Sequence, residues 1–237
     1  MTNSPQDLAA AVNDPAVRAM REKIARFGRT MYERHLTDTA GGNLSAHVGG
    51  VVVMSPRFAG SKLQWQLSAE DTLVCDLDGN VLAGRGQISR ESKAHFKLYR
   101  EYGDYGTGVI HAHARNALVF AAMHRPIPPV LEATRKFGTL PVVDYGPAHG
   151  NELANAVAEA IGAQKERIRK QAAGVIAPYH GLFVMGKDID AAFDAVERID
   201  TNAYIILMSG QLERGDEMSA ARARMEGEIG RFEDKSP

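Results

Sequence analysis

Two hydrophobic rhythms alternate along this chain. Over residues 15–36, Val17, Met20, Ile24, Phe27 and Met31 recur every three or four positions, the period of a helix face, and Asp14 before Pro15 is a suitable start. The period then shortens. Residues 44–48 and 51–54 flank Gly49-Gly50, and residues 73–76 and 81–82 flank Asp78-Gly79-Asn80, so both pairs read as hairpins. Helical spacing returns over residues 90–102 and 114–124, on either side of a strand at 108–113. A strand at 140–143 precedes a helix at 151–161. Strands at 172–176 and 182–185 enclose a tight Tyr179-His180-Gly181 turn, and a long helix over 189–212 follows. Residues 58–66, with the lone Trp65, show little periodicity and read as an irregular excursion. The polar stretch 213–237 reads as a charged tail, a terminal helix that frays. Helices alternate with hairpins instead of single strands. That predicts a mixed or antiparallel sheet with helices packed on it, not a doubly wound parallel one.

Composition narrows the class without changing that picture. Hydrophobic residues make up 44% and charged residues 24% of the 237, which argues against a disordered or fibrous chain. A formal net charge of -1 gives no electrostatic case for nucleic acid or a membrane surface as partner. No run is long and apolar enough to span a bilayer. Residues 1–10 lack the basic and apolar regions of a signal peptide, so the expected location is the cytoplasm. Cys75 is the only cysteine. Its strand-like neighbours predict a buried, inert thiol.

Candidate chemistry begins at His111-Ala112-His113. In a strand these two imidazoles share a face, a natural start to a metal site, although unrelated polar residues at a strand end give the same pattern. His180, in its turn at a sheet edge, reads alone as a surface histidine. Together, three histidines with room for an open position form a catalytic zinc arrangement. Glu91 opens a helix, where a carboxylate serves either the helix dipole or, beside a metal, as a base. The Gly41-Gly42-Asn43 loop brings backbone N–H groups close to an anion, or simply turns the chain.

These pieces occur in a fixed order. Gly41-Gly42-Asn43-Leu44-Ser45, Glu91 four residues before His95, His111-x-His113, His180-Gly181-Leu182, and Gly186-Lys187-Asp188 before a long helix lie within residues 20–212. In this the chain resembles the class II aldolase/adducin family. The resemblance implies an α/β fold, a three-layer α/β/α sandwich with a central, mostly antiparallel sheet. It implies one domain over residues 1–237, with a core of about 15–212. It implies a divalent metal on His111, His113 and His180, zinc in the first place, with Mn2+, Co2+ or Fe2+ as alternatives. Glu91 would be the acid/base, and Gly42, Asn43 and Ser89 would face the anionic end of a small substrate. The expected reaction is retro-aldol cleavage of a small ketose phosphate to dihydroxyacetone phosphate and an aldehyde. The alternative is metal-dependent decarboxylation, or aldol cleavage, of a non-phosphorylated hydroxy or dihydroxy-aromatic acid. A homotetramer is expected on the same ground.

Two positions depart from the family pattern. Ser89-Arg90 stands where sugar-phosphate aldolases of the family often carry a small pair such as Ser-Ser. Arg90 suits a phosphate or a carboxylate, or is an exposed first-turn residue. After Ile127-Pro128, Glu132 takes the place of a tyrosine that helps protonate the leaving aldehyde in some members, so Glu132 is a candidate substrate-binding residue.

Overall fold

Strand alternation decides how the layers assemble. In a computed structural model of the chain, which describes residues 5–148, 150–212, 220 and 223–227, the hairpins join into one sheet. Its strands are β1 (Asn43–Val48), β2 (Val51–Met54), β3 (Leu73–Cys75), β4 (Val81–Ala83), β5 (Gly108–Ala112), β6 (Ala172–Ala177) and β7 (Gly181–Gly186). They lie in the order β4-β3-β2-β1-β5-β7-β6, each neighbour antiparallel. Gly49 and Gly50 join β1 to β2 with φ of 59° and 79°, positive angles that a two-residue hairpin turn of the right twist requires.

The helices are α1 (Pro5–Val12), α2 (Pro15–Glu33), α3 (Ala59–Leu63), α4 (Ser92–Tyr102), α5 (Arg115–Ala122), α6 (Asn151–Gly162), α7 (Lys165–Lys170) and α8 (Ile189–Leu212). Val51, Val53, Ile110, Ala112, Leu182 and Val184 meet α2, α5 and α8 on one face of the sheet. Val52, Met54, Val109, Phe183 and Met185 meet α4, α6 and α7 on the other. Both faces are covered, which is why the strands are apolar throughout and not alternating. This is the three-layer α/β/α sandwich expected. No described helix is long and apolar enough to cross a membrane.

Several elements differ from the expectation. The strand expected at 140–143 makes only isolated bridges, Leu140 with Ile127 and Val142 with Ile176. Pro141 interrupts it, because proline has no N–H to extend a ladder. The irregular excursion contains the short helix α3, bracketed by left-handed backbone at Phe58, Gln64 and Trp65. The helix expected from 90 begins at Ser92, with Glu91 at its cap position. Helices α1 and α7 and a 3-10 turn at Glu132–Phe137 were not foreseen. Of the expected tail, only residues 220 and 223–227 are described, and they are helical. Cys75 is fully buried. Burial first, and then the neighbouring Asp76 carboxylate, push its thiol up to about 12, as an inert core thiol requires.

Candidate active site

The histidine pair comes from the end of a central strand. His111 lies opposite Phe183 where β5 pairs with β7, and its ring stacks on Phe183 with centroids 4.2 Å apart. His113 stands just past the last residue of β5. His180 belongs to the turn between β6 and β7, where Tyr179 takes a φ of 58°. Gly181 lets that turn close on β5, since a Cβ there would sit 2.6 Å from the Ala112 carbonyl oxygen. The His180 ring then stacks on His111 at 4.6 Å.

Hydrogen bonds determine which ring nitrogen is free. His111 Nδ1 lies 3.1 Å from the Leu182 carbonyl, which only accepts, so Nδ1 carries the proton and Nε2 the lone pair. His113 Nδ1 faces the Asp38 carboxylate at 3.2 and 3.3 Å, with the same result. The Nε2 atoms of His111, His113 and His180 are buried and have no hydrogen-bond partner among the described residues. One ligand atom from each histidine lies within 4.8 Å of the others. Buried nitrogens rarely stay unpartnered; the lone pairs of His111 and His113, joined by that of His180 in its Nδ1-protonated tautomer, are what a divalent cation needs. The donor set fits such an ion. Burial holds the His111 imidazole well below its usual pKa, against the pull of Glu91, so it remains a neutral donor.

Glu91 is turned away from its own helix. Its side chain makes no cap bond. Its carboxylate lies 3.2 Å from His180 Nε2 and 3.5 Å from His111 Nε2. Asn43 Nδ2 donates to Glu91 Oε2 at 3.0 Å and to Ser89 Oγ at 3.2 Å. Burial works against the Glu91 charge; when the facing imidazoles are protonated, His111 first, they hold its carboxyl well below the usual range. A cleft of about 110 Å3 opens beside it, walled by Gly41, Gly42, Ser89, Arg90, Arg57 and Phe58. The cleft therefore gathers cations and small residues next to one ionised carboxylate.

A family model, described as "Class II Aldolase and Adducin N-terminal domain", matches residues 22–207. The chain belongs to the class II aldolase/adducin family. It is thus an aldolase-type lyase. An L-fuculose phosphate aldolase of Methanococcus maripaludis is 28% identical over 192 residues, covering 81% of this chain and 98% of that one. A 5-deoxy-D-ribulose 1-phosphate aldolase of Bacillus thuringiensis is 28% identical, covering 87% and 95%. An L-ribulose-5-phosphate 4-epimerase of Salmonella paratyphi B is 30% identical, covering 69% and 75%. A solved L-fuculose 1-phosphate aldolase shares the fold, with a TM-score of 0.69, 22% identity, and coverage of 94% and 97%.

Within this class II aldolase fold, the residues singled out in the sequence divide into two groups. His111, His113, His180, Glu91, Asn43, Gly42, Ser89 and Arg90 come together around one cleft and one cluster of nitrogens. Glu132 does not. It is exposed at the start of the 3-10 turn and lines no part of the cleft beside Glu91. Two residues of the site went unremarked in the sequence. Asp38 stands in a Thr-Asp-Thr-Ala-Gly-Gly run whose Asx-turn character was legible. Arg57 follows a Pro at the end of a hairpin, and nothing local marks it.

Proposed function

We propose that this chain cleaves a small ketose phosphate by a retro-aldol reaction, giving dihydroxyacetone phosphate and an aldehyde. In this reading His111, His113 and His180 hold a divalent ion, zinc in the first place. One observation carries it: a ligand nitrogen from each of His111, His113 and His180 lies within 4.8 Å of the others, and the Glu91 carboxylate stands 3.2 Å from His180 Nε2 and 3.5 Å from His111 Nε2. The names of the curated relatives support the substrate class.

A bound divalent ion supplies Lewis acidity, stabilising negative charge on neighbouring substrate oxygens. The chain's own residues do the rest. Gly42, Ser89, Arg90 and Arg57 wall the cleft that takes the anionic end, where guanidinium forks match phosphate geometry. In the cleavage direction the ionised Glu91 carboxylate accepts the proton of the hydroxyl on the carbon that becomes the aldehyde. The electron pair of the breaking C–C bond passes to the ketone side as an enediolate. Glu91 then hands a proton to the enediolate carbon, completing dihydroxyacetone phosphate. Asn43 holds the Glu91 carboxylate in place for that transfer.

A second reading is decarboxylation of a hydroxy or dihydroxy-aromatic acid. The two arginines in the cleft favour it, since guanidinium groups bind carboxylate as well as phosphate. The deciding experiment offers zinc-loaded protein L-fuculose 1-phosphate, 5-deoxy-D-ribulose 1-phosphate and a dihydroxybenzoate. Dihydroxyacetone phosphate release that disappears in His111→Ala supports the first reading. Undiminished release by His111→Ala would refute the metal role, and carbon dioxide alone would move the protein to the second reading. Homotetramer assembly belongs to the same proposal. The exposed Val119, Met123 and Met208 support self-association, and sedimentation would measure it.

A further inference from the structure

Asp38 occupies a junction that the reaction scheme leaves unused. Its carboxylate faces His113 Nδ1 with both oxygens, at 3.2 and 3.3 Å. The same Oδ1 accepts from the backbone N–H groups of Ala40 and Gly41, at 2.8 and 3.0 Å. Its backbone carbonyl accepts from Trp65 Nε1 at 2.8 Å, and Trp65 is almost wholly buried. Gly60 presses on the same peptide, because a Cβ there would lie 2.6 Å from the Asp38 carbonyl oxygen. The otherwise irregular excursion around α3 is therefore a buttress, and what it buttresses is Asp38.

Burial does not hold this side chain. It is 44% exposed and opens on a cleft of about 520 Å3 shared with Tyr32, His35, Arg115 and His113. Its orientation comes from the contacts above. His111, by contrast, gives its Nδ1 proton to a neutral carbonyl. A carboxylate behind an imidazole fixes the ring and raises the basicity of its other nitrogen, commonly strengthening metal binding about 10–100-fold.

We propose that Asp38 is a positioning residue for the metal centre: its carboxylate fixes His113 as a ligand while its turn places Gly41 and Gly42 along the anion cleft. This rests on the reading that His111, His113 and His180 hold a divalent ion. A plain turn-forming role is the competing account, and asparagine separates the two. Asp38→Asn keeps an acceptor for Ala40 and Gly41 but removes the charge behind His113.

Zinc affinity is measured by chelator competition in wild type, Asp38→Asn, His113→Ala and the double variant, with denaturant midpoints of the metal-free proteins alongside. We expect Asp38→Asn to bind zinc about 10–100-fold more weakly with an unchanged midpoint. In the His113→Ala background the same change then has no further effect. Zinc affinity equal to wild type in Asp38→Asn overturns the inference and leaves the metal reading standing. So does an equal loss in the His113→Ala background. Zinc affinity unaffected by His113→Ala overturns the metal reading, and this inference with it.

Discussion

Asn43 Nδ2 reaches Glu91 Oε2 at 3.0 Å, tying the first residue of the central strand β1 to the residue that opens α4. Asn43 and Glu91 are 48 positions apart, yet the bond aims the carboxylate at His180 and His111. Glu91→Gln keeps the shape and removes the carboxylate that serves as acid/base in the proposed reaction. Turnover is expected to fall about 10²–10⁴-fold, the usual contribution of a positioned acid/base, with bound zinc per chain unchanged. Metal analysis and steady-state kinetics on one preparation check both halves.

Gly41 leaves no room for a side chain. A Cβ there would lie 2.2 Å from His113 Cε1 and 2.5 Å from its Nε2. The atoms in the way are the His113 ring itself, so the ring must move. Gly41→Ala is expected to weaken zinc binding at least about 10-fold, by the same logic that makes ring orientation matter. A titration showing wild-type zinc affinity would mean that the ring is free to shift without consequence.

Arg57 and Arg90 line one cleft, and the Arg57 guanidinium lies over the Phe58 ring, 4.4 Å from its centroid. In the proposed reaction, truncating either to alanine removes charge-assisted contacts to the anionic end of the substrate. Each contact is worth about 1.5–3 kcal/mol, which corresponds to a KM rise of about 10–100-fold. With uniform binding lost, kcat stays near wild type. A kcat collapse at unchanged KM would place these arginines in the chemical step instead.

His95 is fully buried, with Nδ1 2.6 Å from Ser45 Oγ, and that hydroxyl lies 2.7 Å from the Tyr99 hydroxyl. Burial first, opposed by Glu91, brings the His95 pKa down to about 3 from 6.5. The folded protein therefore refuses a proton that the unfolded chain accepts below pH 6.5. Stability is complete above that value and lost as pH falls towards 3. At pH 5, 1.5 units below 6.5, the loss is about 2 kcal/mol at 1.36 kcal/mol per unit. Denaturant unfolding of metal-free protein at pH 7 and pH 5 should show that fraction of the slope disappearing in His95→Gln. An identical pH dependence in the two proteins would assign the acid sensitivity elsewhere.

Much of this was legible from local pattern. The β1–β2 hairpin follows from Gly49-Gly50, and the shared aim of His111 and His113 from strand alternation. The elements that escaped were decided by distant contacts. Phe58, Gln64 and Trp65 adopt left-handed backbone, which their side chains do not announce, because the excursion folds to place Trp65 under Asp38. Residues 140–143 carry strand-like apolar residues, but Pro141 limits them to single bridges. Asp38 meets His113 across 75 positions, beyond any local period. Glu132 is matched by its place after Ile127-Pro128, and sequence order alone does not say that it lines no part of the cleft beside Glu91.

The nitrogen cluster is mounted on β5 and the adjoining turn of β7, between two cores built of apolar side chains. Unlike a zinc finger, which gains its fold from the metal, this framework has its own reasons to stay folded. On the proposed metal reading, a cell starved of the ion would keep an idle reserve of the protein, ready to resume work when supply returns, with no new synthesis.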